Sequence, residues 1–346
     1  MAADLKNILI IKPSSLGDIV LSLPALSALR RNFPDARISW FVRPEFAPIL
    51  QNHPHITEII HFDRKFLAQA WFNPRALASL VSLIRRLRRS KFDAVFDFQG
   101  LFRTASLAWL AGCKRRIGMA NARELAHIFY TLKVRQNEDC AHLVDYYLKI
   151  IQTAGAKDLS VEFILPEDDA AADSAGRLLS RYGIEPGNFA ILVPGSAHSD
   201  KCWPIERFAA LAEKISSQFH IPFVVAGTAS ERSVVAHLET LSKVPVINLT
   251  GRTSLNELLA LLRAAKLVVS NDTGPGHIAA ALGIPLVMLF GRSNPARVAP
   301  YGRKNCVVAV EPYSRGLAIN SNNPKHDITA VTVEDVFQKV CEQLNP

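Results

Sequence analysis

The stretch 267–290, LVVSNDTGPGHIAAALGIPLVMLF, constrains the fold more than any other part of the sequence. Its apolar, β-branched start predicts a buried strand, its polar centre predicts a turn, and the small residues that follow predict a helix ending at Gly283. The apolar run after Pro285 predicts a second strand. Strand, turn, helix and strand in this order form the repeating unit of a parallel α/β sheet.

The turn in this stretch has the composition of an anion site. Asp272 and Thr273 favour the start of a helix, and Gly274 and Gly276 let a ligand approach the backbone closely. The free amides and the positive dipole end of a helix favour an anion by about 0.3–1 kcal/mol. The turn therefore predicts a phosphate site, where His277 can donate to a leaving phosphate; the plainer alternative is a histidine on the helix surface.

The same turn also fits the dinucleotide pattern G-x-G-x-x-A, from Gly274 to Ala279. That pattern requires an acidic residue roughly 20 residues further on to hold a ribose diol. The next strand instead ends in Phe-Gly-Arg at 290–292, without an acid, and Pro275 stiffens the turn. These features disfavour NAD binding, while an ordinary turn whose glycines serve packing stays an alternative.

Strand and helix patterns alternate along the whole chain. Asn7–Ile11 opens one series, and Phe189–Val193 opens a second after an acidic, alanine-rich helix. Alternation at this spacing predicts parallel sheets covered by helices on both faces. We expect one domain over 1–170 and a second over 171–331, with a C-terminal helix in 332–346 that packs back onto the first domain.

Several classes of protein are disfavoured by composition. The N-terminal apolar run is too short for a signal peptide, and the longest uncharged apolar stretch, 278–290, is far below the roughly 20 residues that span a bilayer. The five cysteines are scattered, without C-x-x-C, which argues against a disulfide framework and a zinc site. We expect a cytoplasmic protein without a bound metal.

The positive charge lies in the first half of the chain. Residues 1–165 hold 23 Lys and Arg against 14 Asp and Glu, whereas residues 166–346 hold 17 of each. This asymmetry predicts an anionic partner, such as a phosphorylated acceptor or a membrane surface. Nucleic acid is disfavoured because the sequence has neither a helix-turn-helix pattern nor a basic patch interleaved with aromatic residues.

A basic helix is predicted at Arg75–Lys91. The favoured interpretation is a helix that covers the sheet and leaves its basic face in solvent, and the alternative is a surface helix that contacts anionic lipid headgroups. The predicted apolar stripe comprises Leu77, Leu80, Val81, Ile84 and Leu87.

Three further turns carry candidate groups. Asp18 follows the first strand, where it is either a favourable first-turn carboxylate or a general base. Lys201 lies in a long polar loop after a strand, where it either neutralises a phosphate or is solvated. Glu231 follows a strand and a glycine turn, and it either accepts from ribose hydroxyls or caps a helix.

Taken together, four motifs resemble those of the family 9 glycosyltransferases, the ADP-heptose:lipopolysaccharide heptosyltransferases. They are KPSSLGDIVLSLPAL at 12–26, DKCWP at 200–204, DTGPGH at 272–277, and GRSNP at 291–295 followed by PYG at 300–302. The N-terminal half, including FQGLFR at 98–103 and ARE at 122–124, is most similar to heptosyltransferase I. That enzyme adds the first heptose to Kdo of the lipopolysaccharide inner core.

The resemblance implies a GT-B fold, in which two Rossmann-like domains face each other across a cleft, and an inverting transfer without a metal. Asp18 would deprotonate the Kdo hydroxyl, and Lys201 with the helix start at Asp272, Thr273, Gly274 and His277 would stabilise the departing ADP. ADP-heptose is the implied donor, and no other cofactor is implied.

The remaining implied contacts divide between donor and acceptor. Ser196 would lie by the donor phosphates and Glu231 would hold the adenosine ribose. The implied acceptor, Kdo-lipid A, would bind in the first domain at Ser15, Gly17, Arg64, Arg103 and Arg123. An acceptor of this kind implies a peripheral protein at the cytoplasmic face of the inner membrane.

Two alternatives stay open. The acceptor can instead be the second inner-core heptose or a protein hydroxyl, because the donor residues would look nearly the same. The chain can also be a catalytically silent nucleotide-sugar-binding protein, although Asp18 and Lys201 are both present.

Overall fold

The structure of the protein is a computed structural model that describes residues 5–345. The chain divides into two compact units, Met1–Pro166 and Glu167–Pro346, close to the boundary expected at residue 170. Each unit contains one six-stranded parallel sheet, which confirms the predicted α/β class. Within residues 5–345, no helix combines the length and the apolar composition that crossing a bilayer requires.

The first unit alternates strands and helices, with the sheet order β3-β2-β1-β4-β5-β6. Its strands are β1 (Asn7–Ile11), β2 (Arg37–Val42), β3 (Glu58–His61), β4 (Ala94–Asp97), β5 (Arg116–Met119) and β6 (Leu132–Val134). Its helices are α1 (Leu16–Asn32), α2 (Arg64–Leu67), α3 (Pro74–Arg89), α4 (Phe102–Leu110) and α5 (Leu143–Gln152).

The central strand β1 is apolar because both of its faces are covered. Leu9 and Ile11 belong to a core cluster with Leu87 of α3 and Leu107 of α4. The strand pairs with β2 and β4, and Ile8 lies opposite both Ile38 and Ala94. A continuous apolar run is the pattern expected for such a doubly covered parallel strand.

The basic helix α3 begins as its sequence predicts but faces the sheet differently. Asn73 caps it by accepting from the Arg75 amide at 3.0 Å, and Pro74 occupies the first helical position. Leu80, Leu83, Ile84 and Leu87 pack on the core. The predicted stripe is wrong for Leu77 and Val81, which are 49% and 36% exposed, because the helix turns Ala76 and Leu83 toward the core instead.

The second unit repeats this winding, with the sheet order β12-β11-β10-β7-β8-β9. Its strands are β7 (Ala190–Val193), β8 (Phe223–Val225), β9 (Val246–Asn248), β10 (Leu267–Asn271), β11 (Leu286–Leu289) and β12 (Val307–Val308). Its helices are α6 (Asp169–Ser180), α7 (Ile205–Phe219), α8 (Arg232–Leu241), α9 (Leu255–Ala264), α10 (Gly274–Ala281), α11 (Pro295–Val298) and α12 (Val333–Leu344).

The C-terminal helix α12 packs within the second unit. Val336 and Val340 are fully buried in the core cluster that contains Val287 and Leu289 of β11. Upstream of the helix, the Trp203 indole Nε1 donates to the Val331 carbonyl at 2.9 Å. The expectation that this helix packs back onto the first unit is therefore wrong for its apolar face, which completes the second core.

Both sheets are wound outward from one pair of central strands. In the first unit the winding reverses between β1 and β4, and in the second it reverses between β7 and β10. Open α/β sheets bind ligands beyond the carboxyl ends of the strands at such a reversal. Ligand-binding residues are thus expected in the turns that follow these four strands.

The placement of α12 predicts which unit depends on it. Val340→Ala removes two buried methyl groups and should lower the free energy of unfolding of the second unit by about 2 kcal/mol, because the helix cannot close the gap fully. Hydrogen exchange should accelerate in β11 and α7 but not in β1. Gln338→Ala, on the exposed side of the same helix, is the control and should change stability by less than about 0.5 kcal/mol; faster exchange confined to β1 would contradict the assignment.

Candidate active site

Asp18 lies in the first turn of α1, immediately after β1. Its Oδ2 accepts from the Ser15 amide at 3.1 Å and from the Ser15 hydroxyl at 2.8 Å. The Asp18 side chain is 32% exposed. The first-turn role considered from the sequence is therefore real, and it holds an accessible carboxylate at the reversal point, with Gly17 beside it in the buried part of the turn.

A buried lysine lies next to this carboxylate. The Lys12 ammonium is 3.8 Å from Asp18 Oδ2 and donates to the Phe98 carbonyl at 3.1 Å, while its side chain is only 5% exposed. Burial lowers the pKa of Lys12, whereas the negative charges of Asp18 and Asp97 oppose that shift. The ammonium and the carboxylate are therefore close enough to interact electrostatically.

Asp97 fixes the turn after β4. It is 1% exposed and accepts from the Gly100 amide at 3.1 Å, the Thr104 hydroxyl at 3.0 Å and the Tyr130 hydroxyl at 2.9 Å. Burial raises the pKa of Asp97, and the hydrogen bonds that it accepts work against this rise. Burial, together with the adjacent Asp97, raises the pKa of Tyr130 as well. These bonds set the geometry of the turn that leads to Arg103.

The three candidate acceptor arginines follow different strands at the same edge of the first sheet. Arg103 is half-buried at the start of α4, Arg123 is exposed after β5, and Arg64 is exposed after the edge strand β3. Arg123 is close enough to Lys12 for its charge to lower the pKa of that lysine.

In the second unit, Lys201, Asp272 and His277 form one cluster after β7 and β10. The Lys201 ammonium donates to Asp272 Oδ2 at 2.6 Å, and His277 Nε2 lies 3.3 Å from Asp272 Oδ1. The side chains of Asp272 and His277 are each 6% exposed, and that of Lys201 is 27% exposed. Lys201 is therefore an oriented, partly accessible cation rather than a lysine free in solvent.

The charge state of Asp272 follows from this geometry. Burial by itself would raise the pKa of Asp272, but the hydrogen bond from His277 and the charge of Lys201 outweigh it and hold the pKa far below its ordinary value. The carboxylate is thus anionic, and its role is to orient the two nitrogen-bearing side chains. Within residues 5–345, no group of three or more His, Cys, Asp or Glu side chains is arranged to hold a metal ion.

The start of α10 differs from the sequence expectation in its capping. Thr273 is the N-cap residue, but within residues 5–345 its side chain accepts no bond from the first turn; its hydroxyl lies 3.0 Å from Ser270 Oγ. Asp272 is committed to Lys201 and His277 instead. A Cβ added at Gly276 would lie 2.8 Å from Ser270 Oγ, so this glycine serves packing, as the plainer alternative held.

Glu231 lies against two glycine turns. Its Oε2 accepts from the Thr228 amide at 2.5 Å and from the Thr228 hydroxyl at 2.9 Å, so the capping role is observed. A Cβ at Gly195 would lie 1.8 Å from Glu231 Oε1, and one at Gly227 would lie 2.8 Å from Oε2. The turns after β7 and β8 thus meet at this carboxylate, and Ser196 follows Gly195 directly.

Asn271 joins the loop of Lys201 to the strand of Asp272. This fully buried side chain donates to the Pro194 carbonyl at 2.7 Å and accepts from the Trp203 amide at 3.1 Å. Both ends of the loop 194–203 are therefore fixed to the end of β10. Asn271 is not among the candidate residues predicted from the sequence, although a polar amide at the end of an apolar strand run is a detectable signal.

Comparison with known proteins assigns the chain to a family. Residues 80–325 match the model of glycosyltransferase family 9 (heptosyltransferase), which is more than half of the chain. The chain belongs to this family. It is 29% identical over 319 residues to Lipopolysaccharide heptosyltransferase 1 of Escherichia coli K12, covering 91% of this chain and 97% of the relative.

Solved structures agree with the family assignment. The glycosyl transferase family 9 structure from Veillonella parvula matches with a TM-score of 0.83 and 25% identity, covering 99% of this chain and 98% of the other. E. coli heptosyltransferase WaaC with ADP-2-deoxy-2-fluoro heptose matches with a TM-score of 0.72 and 26% identity, covering 97% and 99%. This family 9 chain is thus a glycosyltransferase with the GT-B fold, as predicted.

The bonds of Asn271 predict a positioning role in this glycosyltransferase. Asn271→Ala leaves a buried carbonyl and a buried amide unpaired, which should lower the free energy of unfolding by about 2 kcal/mol. Amide exchange across 194–203 should accelerate, because the loop loses the side chain that holds both of its ends. Asn188→Ala, at an exposed amide in the same unit, is the control and should leave both quantities unchanged; an unaltered loop in Asn271→Ala would contradict the role.

The lowered pKa of Asp272 predicts a dependence of stability on pH. Because the folded state holds this group ionised, its contribution is complete above the unfolded pKa of about 4 and is lost as pH falls below that value. Asp272→Asn should cost about 3 kcal/mol at pH 7, and the gap to the wild type should narrow from pH 5 to pH 3 in urea unfolding. Asp200→Asn, an exposed change in the Lys201 loop, should be nearly neutral; a gap independent of pH would refute this origin.

Proposed function

We propose that this glycosyltransferase transfers heptose from ADP-heptose to Kdo of the lipopolysaccharide inner core, by an inverting mechanism that uses no metal ion. Family membership supports the proposal together with one cluster of candidate catalytic residues in each unit. One is the Asp18 turn in the first unit, and the other is the Lys201–Asp272–His277 cluster in the second.

Asp18 is the proposed base. The acceptor hydroxyl gives its proton to the Asp18 carboxylate while its oxygen attacks the anomeric carbon, and the bond from that carbon to the ADP oxygen breaks. Attack opposite the leaving group inverts the anomeric centre. Ser15 orients the carboxylate and the buried Lys12 ammonium lies 3.8 Å from it, and a weak base is adequate when proton transfer comes late in the transition state.

The second unit is proposed to stabilise the leaving ADP. Negative charge grows on the diphosphate as the bond breaks, and the Lys201 ammonium and the first turn of α10 are held in place before this happens. Interactions that strengthen as charge develops accelerate the reaction, whereas equal binding of substrate and transition state does not. Ser196 is proposed to lie by the phosphates, and the fixed carboxylate of Glu231 to accept from the adenosine ribose.

The donor assignment draws on the compared structures. The WaaC structure holds ADP-2-deoxy-2-fluoro heptose, and the chain matches 99% of that protein's length. The relatives named Lipopolysaccharide heptosyltransferase 1 and Lipopolysaccharide core heptosyltransferase OpsX support an acceptor in the lipopolysaccharide core. The choice of Kdo-lipid A as the acceptor follows from the resemblance of the N-terminal half to heptosyltransferase I.

The acceptor is proposed to bind the first unit. Arg103 and Arg123 follow adjacent strands of the first sheet, and Arg64 follows its edge strand, so these cations can bind carboxylates and phosphates of an anionic acceptor. An acceptor anchored in lipid also requires that the enzyme work at a membrane surface. We propose the cytoplasmic face of the inner membrane for this contact.

The proposal is tested by ADP release from ADP-heptose in the presence of Kdo-lipid A. Asp18→Asn should lower kcat by roughly 10²–10⁴-fold, because the attacking hydroxyl loses its base, while ADP affinity stays within about twofold. Asp35→Asn, at an exposed aspartate of the same unit, is the control and should retain full turnover. Adding the metal chelator EDTA should leave wild-type turnover unchanged.

The possible results separate the alternatives. Release that depends on Kdo-lipid A supports transfer of the first heptose, whereas release only with an acceptor that already carries one heptose points to the second transfer. Equal turnover by Asp18→Asn and the wild type refutes the base. Binding of ADP-heptose without turnover on either acceptor would favour another acceptor, such as a protein, or a silent binding protein.

A further inference from the structure

The segment before α3 and one face of α3 expose large apolar side chains to solvent. Trp71 is 96% exposed and Phe72 is 77% exposed, directly before the Asn73 cap of α3. Leu77 and Val81 follow on α3, four residues apart and therefore on one face of that helix. Scattered exposed apolar residues are ordinary, but four of them within residues 71–81 make this segment a candidate interaction surface.

The same part of the chain carries the positive charge of the first half. Residues 64–123 contain 13 Lys and Arg against only two acidic residues, Asp93 and Asp97, whereas residues 1–63 contain six of each sign. Asp97 is buried, so its carboxylate is not part of the surface of this segment. Over 64–91, which spans α2 and α3, there are eight basic residues and no acidic residue.

Arginines of α3 line a concave surface that can bind an anionic group, and this surface follows the exposed apolar residues along the helix. Arg85 and Arg89, both exposed and one helical turn apart, line this concavity together with Arg86, Ser82 and Ser90. Arg86 is paired with Glu58 at 2.5 Å, which fixes one wall. Guanidinium groups and hydroxyls arranged in this way match the oxygen atoms of a phosphate.

We propose that this surface, formed by Trp71, Phe72 and the exposed face of α3, docks on an anionic lipid bilayer. Trp71 and Phe72 enter the boundary between headgroups and acyl chains, while Arg85 and Arg89 bind lipid phosphates. The aliphatic Leu77 and Val81 favour a bilayer over nucleic acid, because they gain from an acyl environment and have no ring on which a base can stack.

This proposal rests on the membrane contact proposed above, but it is independent of the donor and of the acceptor sugar. Vesicle binding is measured without turnover, so its failure and the failure of the proposed reaction can be told apart. A wild type that transfers heptose but does not bind anionic vesicles overturns the docking surface and leaves the reaction in place.

The test is flotation with vesicles of phosphatidylcholine alone and of phosphatidylcholine with phosphatidylglycerol. The wild type should bind only the anionic vesicles, and both Trp71→Ser/Phe72→Ser and Arg85→Gln/Arg89→Gln should bind at least about tenfold more weakly. Turnover on a water-soluble Kdo acceptor without acyl chains should stay within about twofold of the wild type, since none of the four side chains belongs to the proposed catalytic site.

The second unit supplies matched controls. Arg177→Gln/Arg181→Gln removes two exposed charges from α6 and its C-terminal end, and Val234→Ser/Ile319→Ser removes two exposed apolar side chains. Both controls should bind vesicles like the wild type. Equal weakening by the test and control variants, or wild-type binding by Trp71→Ser/Phe72→Ser, would overturn the proposal.

Tryptophan fluorescence locates the contact. Trp40 and Trp203 are buried, and Trp109 is 53% exposed, so Trp109→Phe leaves Trp71 as the single exposed reporter among the four tryptophans. Its emission should shift to shorter wavelength with anionic vesicles and be quenched by brominated acyl chains. An unshifted emission, or a response to single-stranded DNA that exceeds the response to vesicles, would overturn the bilayer as the partner.

Discussion

The winding of each sheet imposes the constraint on which everything else depends. A chain that builds strands outward from the centre in one direction and then in the other must leave two adjacent strands whose following turns diverge. Because these turns lead to opposite sides of the sheet, a crevice is left beyond the carboxyl ends of the two strands. Each unit thus provides a recess whose walls are turns, and the residues that matter chemically are those which the turns carry.

In each unit, a charged side chain at this position is paired with a group of opposite charge, but the buried member of the pair differs between the units. In the second unit, a buried carboxylate lies within hydrogen-bonding distance of a lysine and a histidine, so its desolvation cost is offset by those two partners. In the first unit, the lysine is the buried partner and the carboxylate of Asp18 is the accessible one. The second unit therefore presents an accessible cation and the first an accessible anion, as the proposed leaving-group site and the proposed base require.

Local pattern was sufficient for much of this architecture. The stretch 267–290 was resolved correctly into strand, turn, helix and strand, because apolar runs, glycines and prolines are local signals. Long-range choices were not accessible in the same way. Three features depend on surfaces that are distant in the sequence: the unit on which α12 packs, the exposure of Leu77 and the hydrogen bonds of Asn271. No short stretch of sequence contains the information about these distant surfaces.

The close approach of Glu231 to Gly195 and Gly227 limits which substitutions these three positions can accept. The carboxylate occupies the volume that a methyl group at either glycine would need, so the two turns and the acid form one steric unit. A longer side chain at 195 becomes admissible only after the acid is shortened or displaced. Substitutions at these two glycines and at Glu231 are therefore coupled, since a side chain at either glycine requires the carboxylate to move or to be shortened.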